Sequence, residues 1–167
     1  GWLNDTRVYA SMVTKVGPLD IPSATGILFA GNYDGSKRRQ LLPQPASARK
    51  GGNSDQFRSF SIVDKLEDDP KNILVSLGGN RLAKIVKLNI YNSRQITHAK
   101  SPVPRGGLML DHDLQPRIAW ENDYDKDVVT IFHRQDSKSG WEEIAEYNTT
   151  KQTFFPITFT KDNKELY

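Results

Sequence analysis

Ile73-Leu74-Val75-Ser76-Leu77, Arg117-Ile118-Ala119-Trp120-Glu121 and Lys164-Glu165-Leu166-Tyr167 are three short strand-like runs, and each follows a polar turn. The turns read Asp68-Asp69-Pro70-Lys71-Asn72, Asp111-His112-Asp113-Leu114-Gln115-Pro116 and Lys161-Asp162-Asn163. Ile73 and Ile118 stand 45 positions apart, and Ile118 and Leu166 stand 48 apart. A period of that length, built from strands and turns with almost no helical pattern, is the signature of a repeated antiparallel unit.

Working outward from these runs, each unit acquires further strands. Residues 57–63 pair with 73–77, and 107–111 with 117–121; each pair is followed by a hairpin. The hairpins span 83–90 with 94–98 and 127–134 with 141–147, joined by turns at Tyr91-Asn92-Ser93 and at residues 135–140. An earlier hairpin joins 27–33 to 38–42 through Asp34-Gly35-Ser36-Lys37, where the Asp-Gly pair between strands is a strong turn signal. Arg7-Val8-Tyr9-Ala10-Ser11-Met12-Val13, rich in β-branched and aromatic residues, supplies a strand before it. Four strands per unit in antiparallel order is the blade of a β-propeller. The fold class is therefore all-β: a partial β-propeller with two complete four-stranded antiparallel blades flanked by two part-blades. On this reading the chain starts at the second strand of one blade and stops inside a fourth, and residues 1–167 form a single domain. The turn-rich stretch from Pro43 to Gln56 inserts beyond the repeat.

A propeller ring closes with typically about four to eight blades, so a chain of this length leaves open edges that proteins normally cover or pair. Either a larger protein contains it or a partner closes it; a homo-oligomer of two such chains is the expectation.

Composition narrows the function classes. The 167 residues carry 23 Lys and Arg against 20 Asp and Glu, with the signs interspersed. Lys37-Arg38-Arg39 is the densest basic run, and it reads as a solvated hairpin tip rather than the gathered basic face of a nucleic-acid binder. No apolar run approaches the roughly 20 residues of a spanning helix, so neither nucleic acid nor a membrane span is expected. Without cysteine, thiol nucleophiles, disulfides and cysteine zinc sites are excluded. Gly1-Trp2-Leu3-Asn4-Asp5 has no signal-peptide character, and nothing assigns a compartment.

Residues 26–43 (Gly26-Ile27-Leu28-Phe29-Ala30-Gly31-Asn32-Tyr33-Asp34-Gly35 onward), Lys71-Asn72-Ile73-Leu74-Val75, the hairpin 83–97 and the closing Pro156-Ile157-Thr158-Phe159-Thr160-Lys161-Asp162-Asn163-Lys164-Glu165-Leu166-Tyr167 together resemble the N-terminal propeller of prolyl-oligopeptidase-like serine peptidases. TolB-like propellers share the same turn vocabulary. The resemblance implies a non-catalytic region that gates or binds peptide substrate above an α/β-hydrolase domain. That domain is absent from these residues: no Gly-x-Ser-x-Gly nucleophile elbow occurs. A stand-alone TolB-like propeller that binds a protein or saccharide is the alternative.

No residue earns a catalytic, cofactor or metal assignment. His98, His112 and His133 fall on an outer strand, in a turn and on a third strand, with nothing to gather them into a triad. Asp111-His112-Asp113 offers metal donors, but the glycine and late glutamate of a calcium loop are missing after it, and a polar β-turn accounts for it. Glu142-Glu143 follows Trp141 in a rim strand and reads as solvated charge. Phe57, Phe60, Trp120, Phe132, Trp141, Phe154 and Phe159 are expected to fill space between strand layers, with Trp120 buried. The Asn4-Asp5-Thr6 and Asn148-Thr149-Thr150 sequons occur too often by chance to carry weight.

Overall fold

The computed structural model describes residues 1–16, 19–43, 59–78 and 82–167. Among these there is no helix, and therefore none long and apolar enough to cross a membrane. Eleven strands make three antiparallel sheets of three, four and four strands. The first sheet holds β1 (Arg7–Val16), β2 (Leu19–Asn32) and β3 (Arg39–Leu42) in that order. The second holds β4 (Phe60–Asp64), β5 (Asn72–Leu77), β6 (Lys84–Asn89) and β7 (Gln95–Lys100). The third holds β8 (Gly106–Leu110), β9 (Pro116–Asp123), β10 (Val128–His133) and β11 (Glu142–Asn148). Every sheet is a simple meander, as the spacing of strands and turns predicts.

The chain divides into two compact units. The first comprises Gly1–Asn80 with Ile85–His98, and the second Arg81–Lys84 with Ala99–Tyr167. In the first unit, Leu28, Leu41 and Leu42 of the first sheet pack against Ile73, Val75, Leu88 and Ile90, all essentially sealed from solvent. Each such side chain contributes about 1.5–3 kcal/mol by leaving water. In the second unit, Ile118, Val129, Ile131, Tyr147 and Phe159 form the core.

Three details differ from the expectation. β1 and β2 run on past the sheet as a two-stranded arm through the pairs Val13↔Ala24, Thr14↔Ser23 and Lys15↔Pro22, whereas β3 pairs only with Leu28, Phe29 and Ala30. Pro22 is tolerated there because, among the described residues, no strand pairs with that side of the arm. Residues 154–160 and 164–167, expected as the last strand pair, meet through the one bridge Phe159↔Leu166 and backbone bonds that include Tyr167 N–H to the Thr158 carbonyl, and not as two full strands; Pro156 lacks the N–H that a ladder needs. At the start, Trp2 bridges Val8, and the Tyr9 amide donates to the Gly1 carbonyl. A short remnant thus lies in the first-strand position, where the sequence reading placed none. The insertion from Pro43 to Gln56 and the ring of Phe57 lie, but for Pro43, outside the described residues.

Trp120 is half-buried rather than buried. It shares the inward face of β9 with Ile118, but its ring reaches beyond the ladder, crossing Gly107 to meet Phe155 edge-on at 4.7 Å.

Candidate functional site

In three of the four repeats the turn that leads into the second strand position is built by one device. A short polar side chain at its start accepts hydrogen bonds from backbone amides further round the turn, as such residues do in Asx and related turns. Asn4 Oδ1 accepts from the Thr6 and Arg7 amides at 3.0 and 2.9 Å. Asp111 Oδ1 accepts from the Asp113 and Gln115 amides at 3.0 and 2.8 Å. Thr160 Oγ1 accepts from the Lys164 and Glu165 amides at 3.2 and 3.0 Å. In the remaining repeat, Asp69 accepts from Asn72 Nδ2 and pairs with Lys87 Nζ at 2.6 Å.

Two of these turns deliver an arginine to a buried place. Arg117 enters β9 and donates from Nε to the Arg134 carbonyl at 2.7 Å. Its Nη1 pairs with Asp111 Oδ2 at 3.4 Å and its Nη2 lies 3.2 Å from His133 Nε2. The guanidinium also lies 5.3 Å from the centre of the Phe159 ring. Arg7 enters β1 in the same way: Nη1 donates to Asn32 Oδ1 at 3.0 Å, and both terminal nitrogens reach the Lys37 carbonyl at 3.4 Å. It packs over the Tyr91 ring at 4.5 Å. Where Arg117 has Asp111, Arg7 has Asn4, which supplies no charge. Arg7 is fully buried, its Nε has no hydrogen-bond partner among the described residues, and burial lowers its pKa. Cation–π attraction and carbonyl bonds are what offset the cost of taking this cation out of water. The Tyr91 pKa is lowered as well, first by the hydrogen bond from Asn4 Nδ2 and further by the charges of Arg7 and Lys37.

Asn4 also organises a concave surface. Its Nδ2 donates to the Pro70 carbonyl at 2.8 Å, tying the first turn to the turn between β4 and β5. Between those two segments runs a groove of about 630 Å³, within the size range of small-ligand sites. Trp2, Asn4 and Asp5 line it from the first segment and Lys65, Leu66, Glu67 and Pro70 from the second, with buried Leu3 also contributing to its lining. Leu66 holds a left-handed backbone, φ 52°, because Asp64 Oδ1 captures its amide at 2.6 Å and its carbonyl accepts from the Asp69 amide. The Trp2 indole is 53% exposed and tilts against Tyr33 at 6.4 Å.

The residues weighed from sequence are distributed as follows. His98 is exposed on edge strand β7. His112 Nε2 lies 3.0 Å from the Phe159 carbonyl, and its amide donates to Asn163 Oδ1. Asp113 accepts from Asn163 Nδ2, so the Asp111-His112-Asp113 turn is spent on structural bonds. No group of three or more metal-ligating side chains stands together among the described residues. Glu142 and Glu143 are exposed on edge strand β11. The sequence reading missed Arg7, Arg117 and the groove; the shared signal was an arginine closing an Asx-type turn just ahead of a hydrophobic strand.

Burial pushes the His133 imidazole below its ordinary pKa, with the Arg117 charge adding to the effect and Glu142 opposing it. A histidine held neutral in the folded state contributes fully above its unfolded value of about 6.5 and loses that contribution as pH falls. Urea midpoints should therefore drop between about pH 7 and pH 5, and His133→Gln should flatten the slope over that window. An unchanged slope in the variant would refute the assignment.

Scans against protein-family models, curated proteins and solved structures found no match to this chain.

Proposed function

We propose that this chain is a stretch of β-propeller with a binding or gating role and no catalysis of its own. On this reading it is the substrate-gating region of a serine peptidase of the prolyl-oligopeptidase type. Its partners are an α/β-hydrolase domain outside these residues, peptides, and a second copy of the chain that helps to cover the open sheet edges. The observation that carries the reading is the repetition of antiparallel meanders, with the same turn device ahead of Arg7 and Arg117 in the first and third sheets and each arginine donating to a backbone carbonyl. Repeats that share internal bonding as well as strand order are what radial repetition of one blade requires.

The exposed Trp2 groove favours a second reading, a stand-alone TolB-like propeller that binds a protein or saccharide. A Gly-x-Ser-x-Gly elbow with downstream Asp and His in the parent reading frame selects the first reading, and a frame of blades alone selects the second. On both readings the purified chain neither hydrolyses chromogenic aminoacyl esters nor reacts with a serine-directed phosphonate, having no activated nucleophile. Turnover that the phosphonate abolishes would overturn the proposal.

A further inference from the structure

We propose that the groove beside Trp2 is a docking site for a lysine or arginine side chain carried on an extended segment of a partner protein. The site lies wholly within the first unit and does not depend on the propeller reading.

Three properties converge on that occupant. The first is Trp2 itself, a groove-lining residue more than half exposed, whose indole supplies a π face for a cation. The second is charge: Asp5 and Glu67 are exposed and form no ion pair among the described residues, against the single ammonium of Lys65. Two carboxylates facing one cation leave the groove with a net negative charge, which complements a basic side chain and opposes an acidic one. The third is the apolar wall. Leu66 and Pro70 line the same groove as Trp2, suited to the aliphatic stem of lysine or arginine while its head stays near the carboxylates. Geometry is fixed in advance by the bond from Asn4 to the Pro70 carbonyl and by the bonds that hold Leu66, so little ordering remains to oppose binding.

The test is solution NMR of the purified chain, with the indole N–H of Trp2 assigned by its loss in Trp2→Phe. The probe is the blocked tripeptide acetyl-Leu-Arg-Leu-amide, compared with its citrulline analogue, a neutral near-isostere, and its glutamate analogue. The arginine peptide should shift the Trp2 signal saturably, with the citrulline peptide at least about fivefold weaker and the glutamate peptide weaker again. Removing both carboxylates in Asp5→Asn/Glu67→Gln should weaken the arginine peptide about fivefold, and added salt should act in the same direction. Lys65→Ala should tighten it about twofold, because a competing cation is gone. These side chains are exposed, so unchanged thermal unfolding of the variants separates lost binding from lost fold. The proposal is overturned if the citrulline or glutamate peptide binds as well as the arginine peptide, if no peptide moves the Trp2 signal, if Lys65→Ala weakens binding, or if the double variant binds unchanged.

Discussion

Gly106→Ala is expected to destabilise the second unit by about 4 kcal/mol, at the upper end of what single substitutions do. Gly106 opens β8 opposite Glu121, and a Cβ built on it would fall on the backbone carbonyl of Trp120. Backbone cannot rotate away as a side chain does, and moving the start of β8 away from β9 would stretch the bonds that join them there. The Arg105 carbonyl accepts from both the amide and Nδ2 of Asn122 on β9, at 3.2 and 2.9 Å. The methyl must therefore break the β8–β9 ladder or bend it. Neighbouring Gly107 gives an internal comparison: the atoms its Cβ would meet first belong to the ring of the part-buried Trp120, a side chain that can turn where backbone cannot. Gly107→Ala should cost less, about 2 kcal/mol. Gly140 meets nothing within 4 Å, and Gly140→Ala should stay within about 0.5 kcal/mol of the parent. Urea titrations followed by tryptophan fluorescence will rank the three; a Gly106→Ala loss under about 1 kcal/mol would show that the β8–β9 pairing is looser than described.

Much of this architecture is legible in the residues because sheet formation here is governed by short-range signals. The Asp34-Gly35 turn declares itself: Gly35 takes φ 82°, a conformation open to glycine, and Asp34 captures the Ser36 amide. Alternation and a spacing near 45 positions then place the strands of the second and third sheets to within a few residues. What escaped depends on groups distant in sequence. Nothing near Arg7 or Arg117 says that it is buried, because the carbonyls that accept from them belong to Lys37 and Arg134. Period-2 alternation put Trp120 on the correct face with Ile118 but could not say how far that face is covered, which Phe155 decides. The arm was missed beyond Val13 for a related reason: residues 11–15 and Pro22 are exposed, and no buried face imposes a pattern on them. The groove needs Trp2 and Leu66 side by side, and no local pattern brings together residues so far apart in the chain.

The second large effect concerns the buried pair in the second unit. Asp111 and Arg117 are 4% and 11% exposed at their side chains, so removing one charge strands the other in a poorly solvated place. Asp111→Ala is therefore expected to cost about 3–5 kcal/mol. The carboxylate has a second duty, accepting from the Asp113 and Gln115 amides, and Asp111→Asn separates the two. Asparagine keeps an acceptor for the turn while discarding the charge, as Asn4 does in the first repeat, and should recover about 1–2 kcal/mol of the loss. Arg117 would then sit as Arg7 sits, held by carbonyls and an aromatic face without a carboxylate. In Asp111→Ala/Arg117→Met the stranded cation is gone, and a buried pair replaced by apolar groups is often neutral or better. The double variant should accordingly be more stable than Asp111→Ala alone, leaving chiefly the loss of the turn acceptor. If the double variant is instead less stable than Asp111→Ala, the guanidinium stabilises the fold without its carboxylate, and its bonds to the Arg134 carbonyl and the Phe159 ring outweigh the charge pair.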